Sequence, residues 1–563
     1  MEQSATHHAS KFSAKQKRLA LLIVAFAFVM DLLDSTIVNI AIPSIQANLG
    51  ASYATIQWLV AGYSLTFALL LITGGRMGDV FGYKKTFLWG IAGFTIASLL
   101  SGIAPTPQFL IVARLLQGSM AALMVPQVMS LMQVIFKPSE RSGVMGMFGM
   151  LGGLSASLGP IVGGLLIKAN LFGWDWRPIF LINLPVGIFA ILAGMRFLPD
   201  GKSEHPLHID IKGTLLVIVA LSLLVFPLIE GRDLNWPLWT IVMLAAAVPA
   251  LWFFAWYENR KHKRDQSALI VPSLFRVRSF VSGLGLNILV ESAMIGFFLT
   301  FTLVLQIGLG FSAIKAALTG IPTAVGMTIG FAVLGNKLIP KMGRYVIGLG
   351  SGIFASGLLY MTWLLSHYAL NTHPWQCIPG LFVIGIGLSL IMAPIFAVAL
   401  RDVDTSHAGS ASGILNAVQQ VGAAIGIAII GVIFFGQLNH GAYKSFDDVA
   451  PQLSKDLSSL HLPAQAQQQI LDQTRACYHD RAAEKDAHAV PASCKQAQQS
   501  APNSAIGQQI NTAVTKSALA ANANNFASAF RSAIIYTLLL LVLGCALSMT
   551  LPRKIRVSDE PSL

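Results

Sequence analysis

Residues 19–42 read LALLIVAFAFVMDLLDSTIVNIAI, an apolar run in which Asp31 and Asp34 are the only ionisable side chains. As a helix rising 1.5 Å per residue, a run of this length crosses a hydrocarbon core of about 30 Å. It is too long for the apolar region of a signal peptide and has no small-residue cleavage site, so it reads as a first span. Comparable runs follow at about 53–74, 86–104, 107–134, 143–168, 178–198, 211–230, 237–257, 281–306, 315–338, 345–367, 376–400, 410–436 and 532–551. The composition agrees: 54% of the 563 residues are hydrophobic and 11% are charged, against about 25% charged in soluble domains. Without water in the bilayer, only helices and closed barrels satisfy their own backbone, and a barrel would show short alternating segments. The expected fold class is therefore an all-α polytopic membrane protein with 14 transmembrane helices.

The net charge of +13 is distributed as a membrane protein distributes it, which argues against nucleic acid as a partner. Lys and Arg gather in alternate short loops: Lys11, Lys15, Lys17 and Arg18; Lys84 and Lys85; Lys137 and Arg141. They continue with Arg260, Lys261, Lys263 and Arg264, then Lys337, Lys341 and Arg344, and the tail Arg553, Lys554 and Arg556. The opposite short loops near 43–52, 105–106 and 368–375 carry neither. The positive-inside rule then puts both termini in the cytoplasm of a multi-pass protein of the bacterial inner membrane.

The loop Gly75-Arg-Met-Gly-Asp79-Val-Phe-Gly82-Tyr83-Lys84-Lys85 has a weak echo in Gly335-Asn-Lys337-Leu-Ile-Pro-Lys341-Met-Gly343-Arg344. The two lie eight spans apart. This predicts two six-helix halves with two helices inserted between them, a signature of secondary transporters whose site lies at the midplane. The expected organisation is a cytoplasmic tail at 1–18, a first half at 19–198, inserted helices and linker at 199–280, a second half at 281–551 and a tail at 552–563. Within the second half, 437–531 is polar, Ala- and Gln-rich and long. It reads as a large periplasmic loop with helical stretches such as 505–530. Cys477 and Cys494 fall inside it, and an oxidising compartment favours a disulfide closing about 17 residues, worth roughly 3 kcal/mol in the chain-entropy model; two free thiols are the alternative.

The Gly75–Lys85 loop resembles the signature between the second and third helices of the major facilitator superfamily, with Gly75, Asp79, Gly82, Lys84 and Lys85 in place and Val80 and Tyr83 standing where bases are usual. Arg114-Leu-Leu-Gln117-Gly118 is similar to that superfamily's buried arginine motif. Gly153 and Leu158-Gly159-Pro160-Ile-Val-Gly163-Gly164 resemble its antiporter motif. Asp31-Leu-Leu-Asp34-Ser-Thr-Ile-Val-Asn39-Ile-Ala-Ile-Pro43, Trp174-Asp-Trp176-Arg177-Pro-Ile-Phe180-Leu-Ile-Asn183-Leu-Pro185 and 306–322 resemble the fourteen-helix drug:proton antiporter family. The resemblance covers nearly the whole chain except 437–531, and it names a family without naming a substrate. It implies alternating access, with the Gly75–Lys85 loop as a gating latch and Gly159-Pro160 as the antiporter element.

The residues themselves point the same way. Asp31 and Asp34 share a helix face, and neither belongs against lipid. Arg114, inside a span, calls for a buried partner, and Asp34 is the candidate. Glu291 is the acid in the core of the second half. Asp34, Glu291, Arg114, Asp31 and Asn39 are thus the candidate proton-coupling and substrate set. Glu230, at a helix end, reads as a solvated cap. No phosphate-cradling GxxxxGK[ST] loop is present, no metal site is expected, and no cofactor is needed if a proton gradient supplies the energy. The expectation is a proton antiporter, not an enzyme, exporting amphipathic, cationic drugs or antiseptics. Its partners would be that small molecule, protons, the lipid bilayer and a candidate periplasmic adaptor protein on the large loop. Export of an endogenous metabolite or anionic compound, symport, a membrane-embedded enzyme and a sensor remain as alternatives.

Overall fold

The computed structural model describes residues 13–136, 138–201, 209–265, 268–270, 272–331, 338, 341–399, 402–403, 408–483, 491–499 and 505–551. Among them there is no strand. The first half contains α1 (Ala14–Leu49), α2 (Tyr53–Phe81), α3 (Tyr83–Gly102), α4 (Pro107–Ile135), α5 (Pro138–Ala169) and α6 (Asn183–Phe197). The inserted pair is α7 (Ile211–Asp233) and α8 (Leu238–Asp265). The second half contains α9 (Arg278–Leu303), α10 (Ala313–Thr319) followed directly by α11 (Ile321–Ile329), α12 (Tyr345–Tyr368), α13 (Pro374–Ala399) and α14 (Ala408–Asp447). Three further helices, α15 (Ala450–Ser458), α16 (Ala464–Ala483) and α17 (Ala492–Gln499), precede the last, α18 (Ala505–Ser548).

Eleven helices among the described residues are long and apolar enough to cross a bilayer. The other three expected spans coincide with α3, α5 and α10–α11, the last two of which contain the shorter apolar stretches Leu158–Ala169 and Ala313–Ile329. Gly335 and Lys337 of the repeated loop lie outside the described residues, as do Lys11, Lys137, Arg553, Lys554 and Arg556.

Local chemistry sets the helix ends. Ser13 and Gln16 form a reciprocal capping box at the start of α1, and Gly50 ends that helix in the left-handed conformation at φ 65°. Ser52, Thr106 and Ser312 accept from backbone N–H groups at the starts of α2, α4 and α10.

Glycine sets how closely the helices approach. A Cβ at Gly74 of α2 would lie 2.1 Å from the Ala122 carbonyl oxygen of α4. At Gly385 of α13 it would lie equally close to the Thr323 carbonyl oxygen of α11. Equivalent helix pairs in the two halves thus use the same device, small residues that let backbones touch.

The end of the bundle bearing α15–α17 is here named the cap end, and the other, with the Lys and Arg loops, the basic end. Towards the cap end the halves meet directly. Gly431 of α14 sits against Gln57 of α2, and Gly164 of α5 sits on the Ile314 backbone of α10. Beside them, Gln306 Nε2 donates to the Ile40 carbonyl at 3.2 Å. The inserted pair leans on α2 from outside, and its α8 turns Val248 and Trp252 outward, 71% and 68% exposed, as a lipid-facing helix would.

The structure differs from expectation at the large loop. Residues 437–447 continue α14, and 505–531 belong to the same unbroken helix as the last span. At 1.5 Å per residue, helices of 40 and 44 residues outrun a bilayer core by roughly 30 Å. Their projecting ends hold α15 and α16 around a small core of Phe446, Leu453, Leu457, Ile510 and Ala521. Cys477 of α16 and Cys494 of α17 are joined as a disulfide.

Candidate functional site

The polar core of the first half is assembled on Asp34. Arg114 of α4 reaches it through Nη1, 2.5 Å from Asp34 Oδ2, with both side chains shut from solvent. The other oxygen, Asp34 Oδ1, accepts from Gln117 Nε2 of α4 and from Asn183 Nδ2 of α6, each at 2.8 Å. Both amides also donate to Ser98 Oγ of α3, at 2.7 and 3.0 Å. Arg114 is held on its remaining sides as well. Its Nε donates to the Leu59 carbonyl at 3.1 Å, and its guanidinium lies 4.4 Å from the Tyr63 ring centroid. The charge is thus fixed by residues from five helices, α1, α2, α3, α4 and α6. A buried pair of this kind strongly resists removal of one partner, because the other is left charged and unpaired.

Small residues make room for this network. A Cβ at Gly118, next to Gln117, would stand 2.3 Å from the Tyr63 carbonyl oxygen. One at Gly187 of α6 would stand 2.0 Å from Thr95 Oγ1.

Asp31, one turn before Asp34 and also buried, has a different partner: the Tyr63 hydroxyl of α2 donates to it. Glu291 of α9, 6% exposed, accepts from Gln419 Nε2 of α14 at 3.3 Å. Gly422 lies against its Cβ, so α14 crosses α9 closely there. The structure therefore gathers Asp31, Asp34 and Arg114 in the first half and puts Glu291 in a separate setting in the second. Asn39 is half-buried on α1 and takes no part in these bonds. Glu230, expected in solvent, is instead half-buried and accepts from Trp58 Nε1 at 2.8 Å, which ties α7 to α2.

The Gly75–Lys85 stretch closes the basic end of α2. Gly82, at φ 100°, makes the turn into α3, a backbone region that favours glycine. Asp79 Oδ1 accepts from the Tyr83 hydroxyl at 3.0 Å. The Tyr83 N–H donates to the Gly201 carbonyl at 2.8 Å, and Lys84 Nζ stands 3.8 Å from Asp200. Lys85 is exposed and Gly75 has ordinary contact with Pro126.

The glycines of α5 work at another surface. Gly159 abuts Thr36, Gly163 abuts Ile37 and Ile40 of α1, and Gly164 touches α10 across the junction of the halves. Pro160 sits inside the unbroken helix, as does Gly153.

A family model described as Major Facilitator Superfamily matches residues 24–427. The chain belongs to that superfamily. It is a multi-pass membrane transporter. It is 39% identical over 540 residues to a probable actinorhodin transporter of Streptomyces coelicolor, covering 96% of this chain and 92% of the relative. It is 35% identical to the tetracenomycin C resistance and export protein of Streptomyces glaucescens, over 73% of this chain and 75% of that one. A crystal structure of a bacterial homologue of the human lysosomal transporter Spinster, inward-facing and occupied, shares the fold. Its TM-score is 0.57 at 15% identity, over 96% of this chain and 97% of that one.

Sequence reading of the transporter did not single out Ser98, Gln117, Asn183 or Tyr63 for this site. Gln117 and Asn183 lie in stretches that resemble family motifs, and that proximity was the available signal. Ser98 had none: a serine in a span usually bonds its own helix.

Proposed function

We propose that this chain exports amphipathic, cationic compounds from the cytoplasm in exchange for protons, by alternating access, with the basic end in the cytoplasm. The observation that carries the reading is the contrast among three buried acids. Arg114 compensates Asp34, whereas Asp31 and Glu291 bond the neutral groups of Tyr63 and Gln419. A proton supplies at Asp31 and Glu291 what Arg114 supplies at Asp34, and so does a cationic substrate. Either occupant can therefore displace the other, which is the requirement of exchange. Asp34 and Arg114 fix the geometry around Asp31, and movement of α4 or α6 during the cycle alters that compensation. The resistance and export roles named for the relatives support export as the direction, as does the glycine face that α5 presents to α1 and α10.

The test is ethidium efflux from energised cells carrying the wild type, Asp34→Asn or Glu291→Gln. Efflux by the wild type that collapses with a protonophore and is lost in either variant is the expected result. Efflux indifferent to the protonophore removes proton coupling. Absence of ethidium efflux with intact transport of an anionic compound removes the cationic substrate. Proton release on substrate addition that survives Glu291→Gln removes Glu291 from the coupling set.

A further inference from the structure

A second pair of buried carboxyls lies far from this core, at the basic end of the inserted helices. Asp210 precedes α7 and Glu258 belongs to the last turns of α8; they are 3% and 2% exposed. Each uses one oxygen conventionally. Asp210 Oδ1 accepts from the Gly213 N–H at 2.9 Å and from the Tyr257 hydroxyl at 3.1 Å. Glu258 Oε2 accepts from the Ile270 N–H at 2.9 Å. The remaining oxygens, Asp210 Oδ2 and Glu258 Oε1, are buried with no hydrogen-bond partner. Both point into the same small space beside Gly213, where a Cβ would stand 2.6 Å from the first and 2.3 Å from the second.

Two ionised oxygens sealed into one space repel each other, and burial deprives them of the water that would soften the repulsion. The charged and titratable neighbours do not offset this. From α2 come Arg76, itself 7% exposed, and beyond it Asp79; from α8 come Tyr257 and, one turn on, His262. The 268–270 segment contributes backbone groups. Arg76 thus acts on both Glu258 and Asp79, and it is further engaged by donating to the Ala268 carbonyl. One proton placed between the two bare oxygens turns repulsion into a charge-assisted O–H···O⁻ bond.

We propose that Asp210 and Glu258 form a proton site of their own, in which a single proton shared by Asp210 Oδ2 and Glu258 Oε1 latches the inserted helix pair to the 268–270 segment and to Arg76. The site is independent of Asp31, Asp34 and Glu291. The inserted pair is already tied to α2 through Thr73 Oγ1 and Thr214 Oγ1, 2.8 Å apart, and through Trp58 and Glu230. The latch adds a connection closed by a bound proton. Arg76 lies within the Gly75–Lys85 stretch, so the proton acts on the loop that turns α2 into α3. The sign is fixed by the chemistry: the latch is closed when the proton is bound and weakens as pH rises.

The Ile270 amide reports the latch directly, because Glu258 holds it. Hydrogen exchange of the peptide containing Ile270 is followed in the full-length protein in lipid nanodiscs from about pH 6 to about pH 9, corrected for the intrinsic pH dependence of exchange. Wild-type protection should fall roughly tenfold or more across that range, as expected when a linked proton is lost. In Glu258→Gln and in Asp210→Asn an amide N–H takes the place of the shared proton, so protection should stay high and flat. Asn also keeps the capping bond to Gly213. Flat protection in the wild type overturns the proposal, and so does a fall of equal size in both variants. Gly213→Ala, which drives a methyl between the oxygens, should lower protection at every pH; unchanged protection there also counts against the shared space.

Discussion

Asp34 and Glu291 are both buried acids, yet their substitution has opposite structural consequences. Asp34→Asn leaves the Arg114 guanidinium sealed in the first half with its charge unmatched, a defect on the order of 3–5 kcal/mol. Glu291→Gln replaces a carboxyl by an amide of the same shape beside Gln419, with no cation left behind. We expect thermal unfolding of the purified protein to shift clearly for Asp34→Asn and little for Glu291→Gln, while both lose transport. Equal shifts would mean that the Arg114 pair carries no more structural weight than the Glu291 contact.

The residue scale also shows where sequence reading stops. Asp34 and Arg114 were legible as partners because charges inside spans are costly and demand an explanation. Gln117, Asn183, Ser98 and Tyr63 are neutral, individually inexpensive and common in spans, so nothing in the chain announces that four different helices bring them to one place. Asp210 and Glu258 were illegible for a related reason: at helix ends an acid ordinarily meets water. Here the Ile270 N–H meets Glu258 and the Tyr257 hydroxyl meets Asp210 in place of water.

At the scale of elements, the eleven helices long and apolar enough to cross a bilayer were legible in the hydropathy of the sequence, whereas the true extent of α14 and α18 was not. Their projecting turns are rich in Ala, Gln and Asn, a composition that suits a helix but equally suits a solvated loop. What distinguishes them is the packing of Phe446 and Ile510 into the core under α15. The disulfide between α16 and α17 closes the most polar part of this assembly, and Asp480 reinforces it. Its carboxyl accepts from Ser493 Oγ at 2.6 Å and from His479, and these bonds hold it below the usual carboxylate range.

The Asp480 contribution is present at neutral pH and disappears as pH falls through that lowered value. Cys477→Ser with Cys494→Ser should therefore raise protease cleavage within 464–499 by up to about a hundredfold, more so in acid, as a chain-entropy effect near 3 kcal/mol implies. Transport measured in the same vesicles then shows whether the closed cap is needed for transport. Cleavage that is no faster than wild type would mean that packing alone holds α16 and α17.

For the whole molecule, the decisive contacts are those that join the halves towards the cap end. Gly164 is the tightest of them at α5, where a Cβ would lie 2.9 Å from Ile314 Cα of α10. That neighbour is backbone and cannot rotate away. Gly164→Ala should wedge the halves apart at the cap end and make a cysteine placed at Ala313 react faster with a membrane-impermeant maleimide added from that side. An unchanged rate would place the hinge of the motion elsewhere.

The long helices have a further consequence. Both α14 and α18 belong to the second half, so the cap is mounted on one half alone by two unbroken rods. Residues 505–530 extend about 39 Å along α18, and each degree by which the second half swings carries the far end of that rod through roughly 0.7 Å. A rotation too slight to see at the midplane becomes a displacement of several ångströms at the tip. The cap is in effect the needle of a gauge whose dial is the membrane surface. A pair of spin labels, one on the cap and one on the first half, would read the stroke of the cycle from it.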